Sequence, residues 1–235
     1  MIELTHRVVM FYDPTNCPRS SLVPAQGIPE IGESLSKLEL ADPLTDIDLL
    51  GPYSHSFCSY LAFRELTRGT TAEFNLDEIR ASKDLEVFAP LKGQVVIDIG
   101  AGAYARGYAL AVAVGAKAYV AAELFHDDHL KTDIAAVDFK ESVPAYVTDK
   151  DMRLVLRALP PNSVSVLASG INCSLFQWAA PKVDILREVG VEVPRVLHDS
   201  GVFISIDSDI YPPGLSLQSS TGVHRSIRIY RSNRT

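Results

Sequence analysis

Cysteine is scarce in this chain: Cys17, Cys58 and Cys173 stand far apart, with no C-x-x-C pair among them. That spacing excludes a disulfide-stapled scaffold, and free thiols in a reducing compartment are the expectation. Long apolar runs are missing too. No stretch approaches the roughly 18 residues of a membrane span, and Glu3, His6 and Arg7 interrupt the early segment where a signal peptide would lie. Together these absences predict a cytoplasmic protein without a membrane partner. Positive charge is in deficit, with 22 Lys and Arg against 29 Asp and Glu, a formal net charge of -7. Nonspecific nucleic-acid affinity comes chiefly from clustered Lys and Arg, so a nucleic-acid substrate is disfavoured, and a small-molecule or other non-nucleic-acid substrate is expected. The exception is local, because His224, Arg225, Arg228, Arg231 and Arg234 make the end of the chain basic. It reads either as a solvated final strand and tail or as an anion-binding edge.

What is present fits an ordinary globular chain. Hydrophobic residues make up 47% and charged residues 22%, enough apolar material to bury a substantial core. At 235 residues the expectation is one catalytic-sized domain with an appendage, and a homo-oligomer stays open. Residues 1 to about 52 carry Pro14, Pro18, Pro24, Pro29, Pro43 and Pro52, which read as breaks in any long periodic element, hence an irregular arm. Phe57, Tyr60, Leu61 and Leu66 then lie on one stripe of a helix from Tyr53 to Arg68, stopped by Gly69. Asn75 with Glu78 resembles a capping box opening a second helix through Leu76, Ile79, Leu85 and Phe88, closed by Pro90. The domain reading is therefore an N-terminal arm and cap over 1–75 and a Rossmann-like domain over 76–235.

Beyond Leu91 short β-branched runs alternate with helical stretches, the pattern of a parallel sheet with crossover helices. Strands are predicted at Gln94 to Ile99, Ala118 to Glu123, Ala145 to Thr148, Val164 to Ala168 and Gly201 to Asp207. Helices are predicted at Tyr104 to Val114, His126 to Val137, Asp151 to Leu159 and Lys182 to Glu188. The segment from Leu215 to Tyr230 alternates as antiparallel edge strands do. The fold class is α/β, a doubly wound, mostly parallel sheet with an N-terminal irregular or helical cap.

The chemistry concentrates at Val95-Val96-Ile97-Asp98-Ile99-Gly100-Ala101-Gly102, a buried strand, a carboxylate and a glycine turn before a helix. Glycine permits the unusual dihedrals of such a turn and leaves room for a ligand against the backbone. Gly100, Gly102 and Ala105 also satisfy the loose G-x-G-x-x-G/A dinucleotide pattern, so a nicotinamide cofactor is an alternative. Asp98 separates the two, because a carboxylate repels a pyrophosphate and attracts an ammonium in a partly desolvated cleft. Glu123, about 20 positions past the glycines and followed by Leu124, is placed to accept hydrogen bonds from ribose hydroxyls in either case.

The D-x-G-x-G stretch resembles the first motif of class I S-adenosylmethionine-dependent methyltransferases, departing from it at Tyr104, where many members carry a third glycine. The resemblance covers roughly residues 90 to 210. It implies S-adenosylmethionine as cofactor, held by Asp98, Gly100, Ala101, Gly102, Glu123 and Leu124. It further implies an acid after the third strand at the adenine amino group and a neighbour on the ring; Asp151 and Met152 fit these, with Asp149 competing and a helix-capping role for Asp151 also open. Ser169 and Gly170, after the fourth strand, are implied beside the methionine part, and Asn172 beside the substrate. The Asp/Asn-Pro-Pro-aromatic motif of base amino-methyltransferases is absent there, which weighs against base methylation. Catalytic residues stay unassigned, because in-line displacement on a sulfonium chiefly needs alignment and a dry site. A noncatalytic relative that kept the fold is a further alternative.

Two clusters read more simply. His126-Asp127-Asp128-His129 opens a helix, where acids favour the dipole, and no metal is assigned to it. Tyr53, His55 and Cys58 lie on the cap without an identifiable partner. The N-terminal segment is expected to cover the cofactor cleft as a lid, sharing substrate selection with the Asn172 loop and the Pro212-Pro213-Gly214 loop.

Overall fold

The computed structural model describes residues 21–41, 80, 83–102, 104–124, 127–137, 141–169, 185–206, 210–221 and 227–232. Five short strands are buried on both faces: β1 Val95–Ile99, β2 Ala118–Ala122, β3 Ala145–Thr148, β4 Ser165–Ala168 and β5 Val202–Ile206. Double burial is why they read as continuous apolar runs. They pair in parallel, and β6 Leu215–Thr221 and β7 Ile227–Ser232 complete a seven-stranded sheet of order β3-β2-β1-β4-β5-β7-β6. β7 returns antiparallel between β5 and β6, so the edge alternation read in the sequence belongs to an inserted strand and an edge strand. The chain crosses sides between β1 and β4. Ligands bind in such sheets at the carboxyl ends beside that switch.

Strand parity sorts the core into two layers. Val95, Ile97, Ile99, Val120 and Ala122 face α1 (Gly32–Glu39), α4 (Met152–Ala158) and α5 (Ile185–Val196). Val96, Tyr119, Ala121 and Leu167 face α2 (Arg106–Val114), α3 (Asp127–Ala136) and a 3-10 stretch, Lys83–Leu91. Each helix follows from its apolar spacing; α5, for example, buries Ile185, Val189, Val193 and Val196 at steps of three and four. α2 ends at Gly115 in the left-handed region (φ +72°), with the terminal carbonyls of Ala111 and Val112 accepting from the backbone there.

Three expectations are corrected. Residues 21–41 are not simply an irregular arm: Gly32–Glu39 is a helix that buries Leu35 and Leu38, and Ile28 and Ile31 just ahead of it are buried in the same layer. Pro24 and Pro29 precede that helix and Pro43 follows it, so the prolines bracket it rather than break it. Ser21 and Val23 add one parallel bridge to the outer edge of β3, through Val23 N–H to the Ala145 carbonyl at 2.8 Å and Ala145 N–H to the Ser21 carbonyl at 2.8 Å. The helix expected to run to Phe88 is 3-10 over Lys83–Leu91. The helix expected to stop at Glu188 continues to Val196, with its buried stripe running on through Val189, Val193 and Val196 and Pro194 inside its last turn. The Tyr53 to Arg68 helix, with Tyr53, His55 and Cys58, lies outside the described residues. No helix among the described residues is long and apolar enough to cross a membrane.

Candidate functional site

The glycine turn hangs on the end of β2. Gly100 N–H and Ala101 N–H donate to the Ala122 carbonyl at 2.8 and 3.3 Å, while Gly102 N–H donates to Glu123 Oε2 at 2.7 Å. Gly100 and Gly102 sit at φ +64° and +78°, the left-handed region that a side chain resists. A Cβ on Gly102 would meet nothing within 4 Å, so the turn presents bare backbone to open space. Ala105 N–H, at the start of α2, donates to Asp133 Oδ2 of α3 at 2.7 Å. Tyr104, at the position of the missing third glycine, is half exposed with the Arg106 guanidinium 5.0 Å from its ring centre.

Beneath the turn lies Asp98, completely buried. Its parity with Val96 directs the carboxylate under α2, where Oδ2 accepts from the Tyr119 hydroxyl at 2.8 Å and the Ser169 hydroxyl at 2.7 Å, and Oδ1 from Ser169 N–H at 3.1 Å. Burial pushes its pKa up to about 7 against these three donors, and the charge of Glu123 adds to the rise. The sequence reading set Asp98 against an ammonium; in the structure none of its surface is exposed, and its carboxylate is taken up by Tyr119 and Ser169.

Gly107 makes this arrangement possible. A Cβ there would stand 2.1 Å from Asp98 Oδ2 and 2.7 Å from the Tyr119 hydroxyl. The close helix-to-strand approach that a third motif glycine usually provides is thus supplied five residues past Gly102.

Beyond β3 the two candidate acids diverge. Asp151 caps α4, accepting from Arg153 N–H at 2.7 Å, Nε at 3.0 Å and Nη2 at 3.1 Å, and both side chains are buried. The capping alternative is therefore what the structure shows for Asp151, and Met152 packs partly buried against the α1 side of the core. Asp149 is exposed and lines a hollow of about 450 Å³ with Glu39, Lys131, Tyr146, Thr148 and Lys150. Burial, then the hydrogen bond to Glu39, raises the Tyr146 pKa above its ordinary value. Asp127 and Asp128, from the histidine-flanked cluster, pair with Lys131 at 2.6 and 3.7 Å.

The structure thus brings together Asp98, Gly100, Ala101, Gly102, Glu123 and Ser169 around the turn, while Leu124 and Met152 pack against the other layer of the core and Asp151 is taken up by Arg153. Gly170 and Asn172 lie outside the described residues. Three participants were missed. Gly107 was visible as a glycine inside an apolar helix, and Tyr119 as the hydroxyl-bearing residue of β2. Register, which pairs Asp98 with Ala121 and so puts Tyr119 on the same face, is not readable from one strand. Asp133, in the middle of α3, carried no signal.

No family model matches the chain, and no curated protein matches it. Among solved structures it is similar to the Escherichia coli protein yhhF, a candidate methyltransferase, with 18% identity and a TM-score of 0.46 over 66% of this chain and 85% of that one. It is similar to a candidate RNA methyltransferase from Pyrococcus horikoshii, with 13% identity and a TM-score of 0.45 over 77% of this chain and 100% of that one. A mutant of MtNAS in complex with S-adenosylmethionine is similar at 13% identity and a TM-score of 0.43, covering 85% of this chain and 72% of that one. At these identities and TM-scores the likeness carries no argument about chemistry, which has to be read from the site itself.

Proposed function

We propose that this protein binds S-adenosylmethionine at the glycine turn and transfers its methyl group to a small-molecule acceptor. One observation carries the reading: two motifs 21 residues apart converge where the sheet switches sides, with Gly102 N–H held by Glu123 at 2.7 Å and open space over Gly102. Bare backbone facing open space, beside a carboxylate able to accept from ribose hydroxyls, fits an adenosyl ligand. Carboxylates below and beside the turn oppose a pyrophosphate, which counts against the nicotinamide alternative.

When bound, the cofactor supplies an activated methyl on a sulfonium. The chain's own part is to hold the nucleoside through Glu123 and the turn, to orient Ser169 through Asp98, and to keep water away. Asp149 is the acid that faces open space after β3, so the adenine amino group is assigned to it in preference to Asp151. The acidic net charge supports a small-molecule acceptor over a polyanion.

Calorimetry with S-adenosylhomocysteine and with NAD tests the cofactor assignment; heat with NAD and none with the adenosyl ligand overturns it. Methyl release from labelled S-adenosylmethionine, offered small molecules and RNA in separate assays, tests the acceptor, and transfer to RNA alone would reject the small-molecule half of the reading. Glu123→Ala should weaken S-adenosylhomocysteine by about 1–3 kcal/mol, the cost of losing hydrogen bonds to a charged acceptor. An unchanged dissociation constant in folded protein removes Glu123 from the site. Gly102→Ala should cost about 1–2 kcal/mol of stability through its positive φ. Its methyl group points where the ligand approaches, so affinity should drop in the folded fraction as well; equal affinity would place the ligand elsewhere.

A further inference from the structure

Backbone amides around the glycine turn are already engaged within the protein. Gly100 and Ala101 donate to the Ala122 carbonyl, Gly102 donates to Glu123 Oε2 at 2.7 Å, and Arg106 donates to the Tyr104 carbonyl at 2.8 Å. Ala105, the residue that caps α2, donates to Asp133 Oδ2 at 2.7 Å. Asp133 is half-buried and arrives from the middle of α3, 28 residues further along the chain. An open helix N-terminus behind a glycine turn is where a phosphate group docks, because the unmatched amides and the helix dipole both favour an anion. Here the chain fills that place with its own carboxylate. α2 is nine residues long, so Asp133 meets the dipole of a full helix. Arg106, in the first turn of α2, is 8% exposed with its guanidinium 5.0 Å from the centre of the Tyr104 ring, which leaves its charge little surface to share with an incoming anion.

We propose, resting on the cofactor reading above, that Asp133 is a specificity-determining residue. Its carboxylate occupies the anion place at the start of α2 and so excludes adenosine ligands with anionic tails, the nucleoside phosphates and dinucleotides, while admitting an adenosyl ligand whose tail carries no net negative charge. A nucleotide and S-adenosylmethionine share adenosine, so contacts to adenine and ribose, such as that assigned to Glu123, hold both alike. Discrimination has to come from what the tail meets. A phosphate entering over Gly102 finds Glu123 on the turn itself and Asp133 at the start of the helix, and the Ala105 amide it would use is already donated. Like charges in a partly desolvated place repel it, which is selection by an unfavourable contact built against the wrong ligand. A tail with a net charge of zero or plus one meets no such penalty.

The test compares three ligands that share adenosine: S-adenosylhomocysteine, whose zwitterionic tail has no net charge, 5′-methylthioadenosine, which is uncharged, and ADP, whose tail is anionic. Affinities are measured by calorimetry on the full chain, in wild type and in two variants whose folding is checked by thermal unfolding. Asp133→Asn keeps an oxygen for the Ala105 amide and removes the charge, whereas Asp133→Ala also frees the amide. Wild-type protein should hold ADP roughly tenfold or more weaker than S-adenosylhomocysteine. The Asn variant should tighten ADP by roughly three- to tenfold and the Ala variant by at least as much, with 5′-methylthioadenosine changed by less than about twofold. ADP bound as tightly as S-adenosylhomocysteine by wild type overturns the proposal without any variant. So does an unchanged ratio of the two affinities in the folded Asn variant, and so does an equal loss of all three ligands, the mark of a purely structural cap. Each of these failures leaves the cofactor reading standing, whereas wild-type protein that binds none of the three ligands overturns that reading and this inference together.

Discussion

Gly107→Ala should destabilise the fold by about 3 kcal/mol or more, combining overpacking with disruption of hydrogen bonds to a buried carboxylate. For a chain of this size that corresponds to a drop in Tm of roughly 6–12 °C. The added methyl would stand 2.1 Å from Asp98 Oδ2, an atom pinned by Tyr119 and Ser169 rather than free to swing away. α2 has little freedom to lift instead, since every one of its residues is buried. The loss should be accompanied by weaker cofactor binding, because α2 carries the far side of the glycine turn. Gly190→Ala is the control: a Cβ there meets its nearest atoms at 3.8 Å inside α5, so the substitution should be neutral or stabilise by up to about 1 kcal/mol. Thermal unfolding of the two variants side by side checks this, and a Gly107→Ala protein as stable as wild type would mean that the layer beneath α2 is looser than described.

Arg153→Ala should cost about 3–5 kcal/mol, the range for leaving one member of a buried ion pair without the other. Arg153 is 1% exposed and Asp151 3%, and the guanidinium spans both carboxylate oxygens at 3.0 and 3.1 Å while lying 3.7 Å from Glu188 Oε1. The pair ties the first turn of α4 to α5, so its removal strands the Asp151 charge in the interior. Urea unfolding gives the magnitude, and a loss below about 1 kcal/mol, as for a surface pair, would refute the buried-pair account. S-adenosylhomocysteine affinity in the folded fraction gives the role of Asp151. It should stay at the wild-type value if Asp151 serves the helix cap, and fall if Asp151 meets the adenine.

The parts of this protein that follow local rules were legible in the sequence. β3 lies where its β-branched and aromatic run put it, β1, β2, β4 and β5 within a residue or so, and Gly100 and Gly102 take the positive φ that a turn between a buried strand and a helix demands. The N-terminal helix was present in the sequence as Leu35 and Leu38 within Gly32–Glu39, but the surrounding prolines masked it; Pro24, Pro29 and Pro43 all lie outside it. The two roles open for Asp151 could not be separated by reading along the chain, because a cap and a ligand contact both call for an acid at the start of a helix. Arg153, from the same first turn and itself held near Glu188 of another helix, decided between them.

By itself the sequence determined the alternation of strands and helices, the glycine turn, and the presence of acids at the ends of β1 and β2. Burial of short apolar runs and backbone dihedrals are set by residues a few positions apart. Tertiary structure alone decided which way each acid faces. Parallel register paired Asp98 with Ala121, which put its carboxylate beside Tyr119 and under Gly107, while β2 carried Glu123 across to Gly102. Shifting a strand by one residue would turn each of these side chains to the other face. Only the packing of both layers against the sheet selects the register that leaves one carboxylate sealed and the other at the turn.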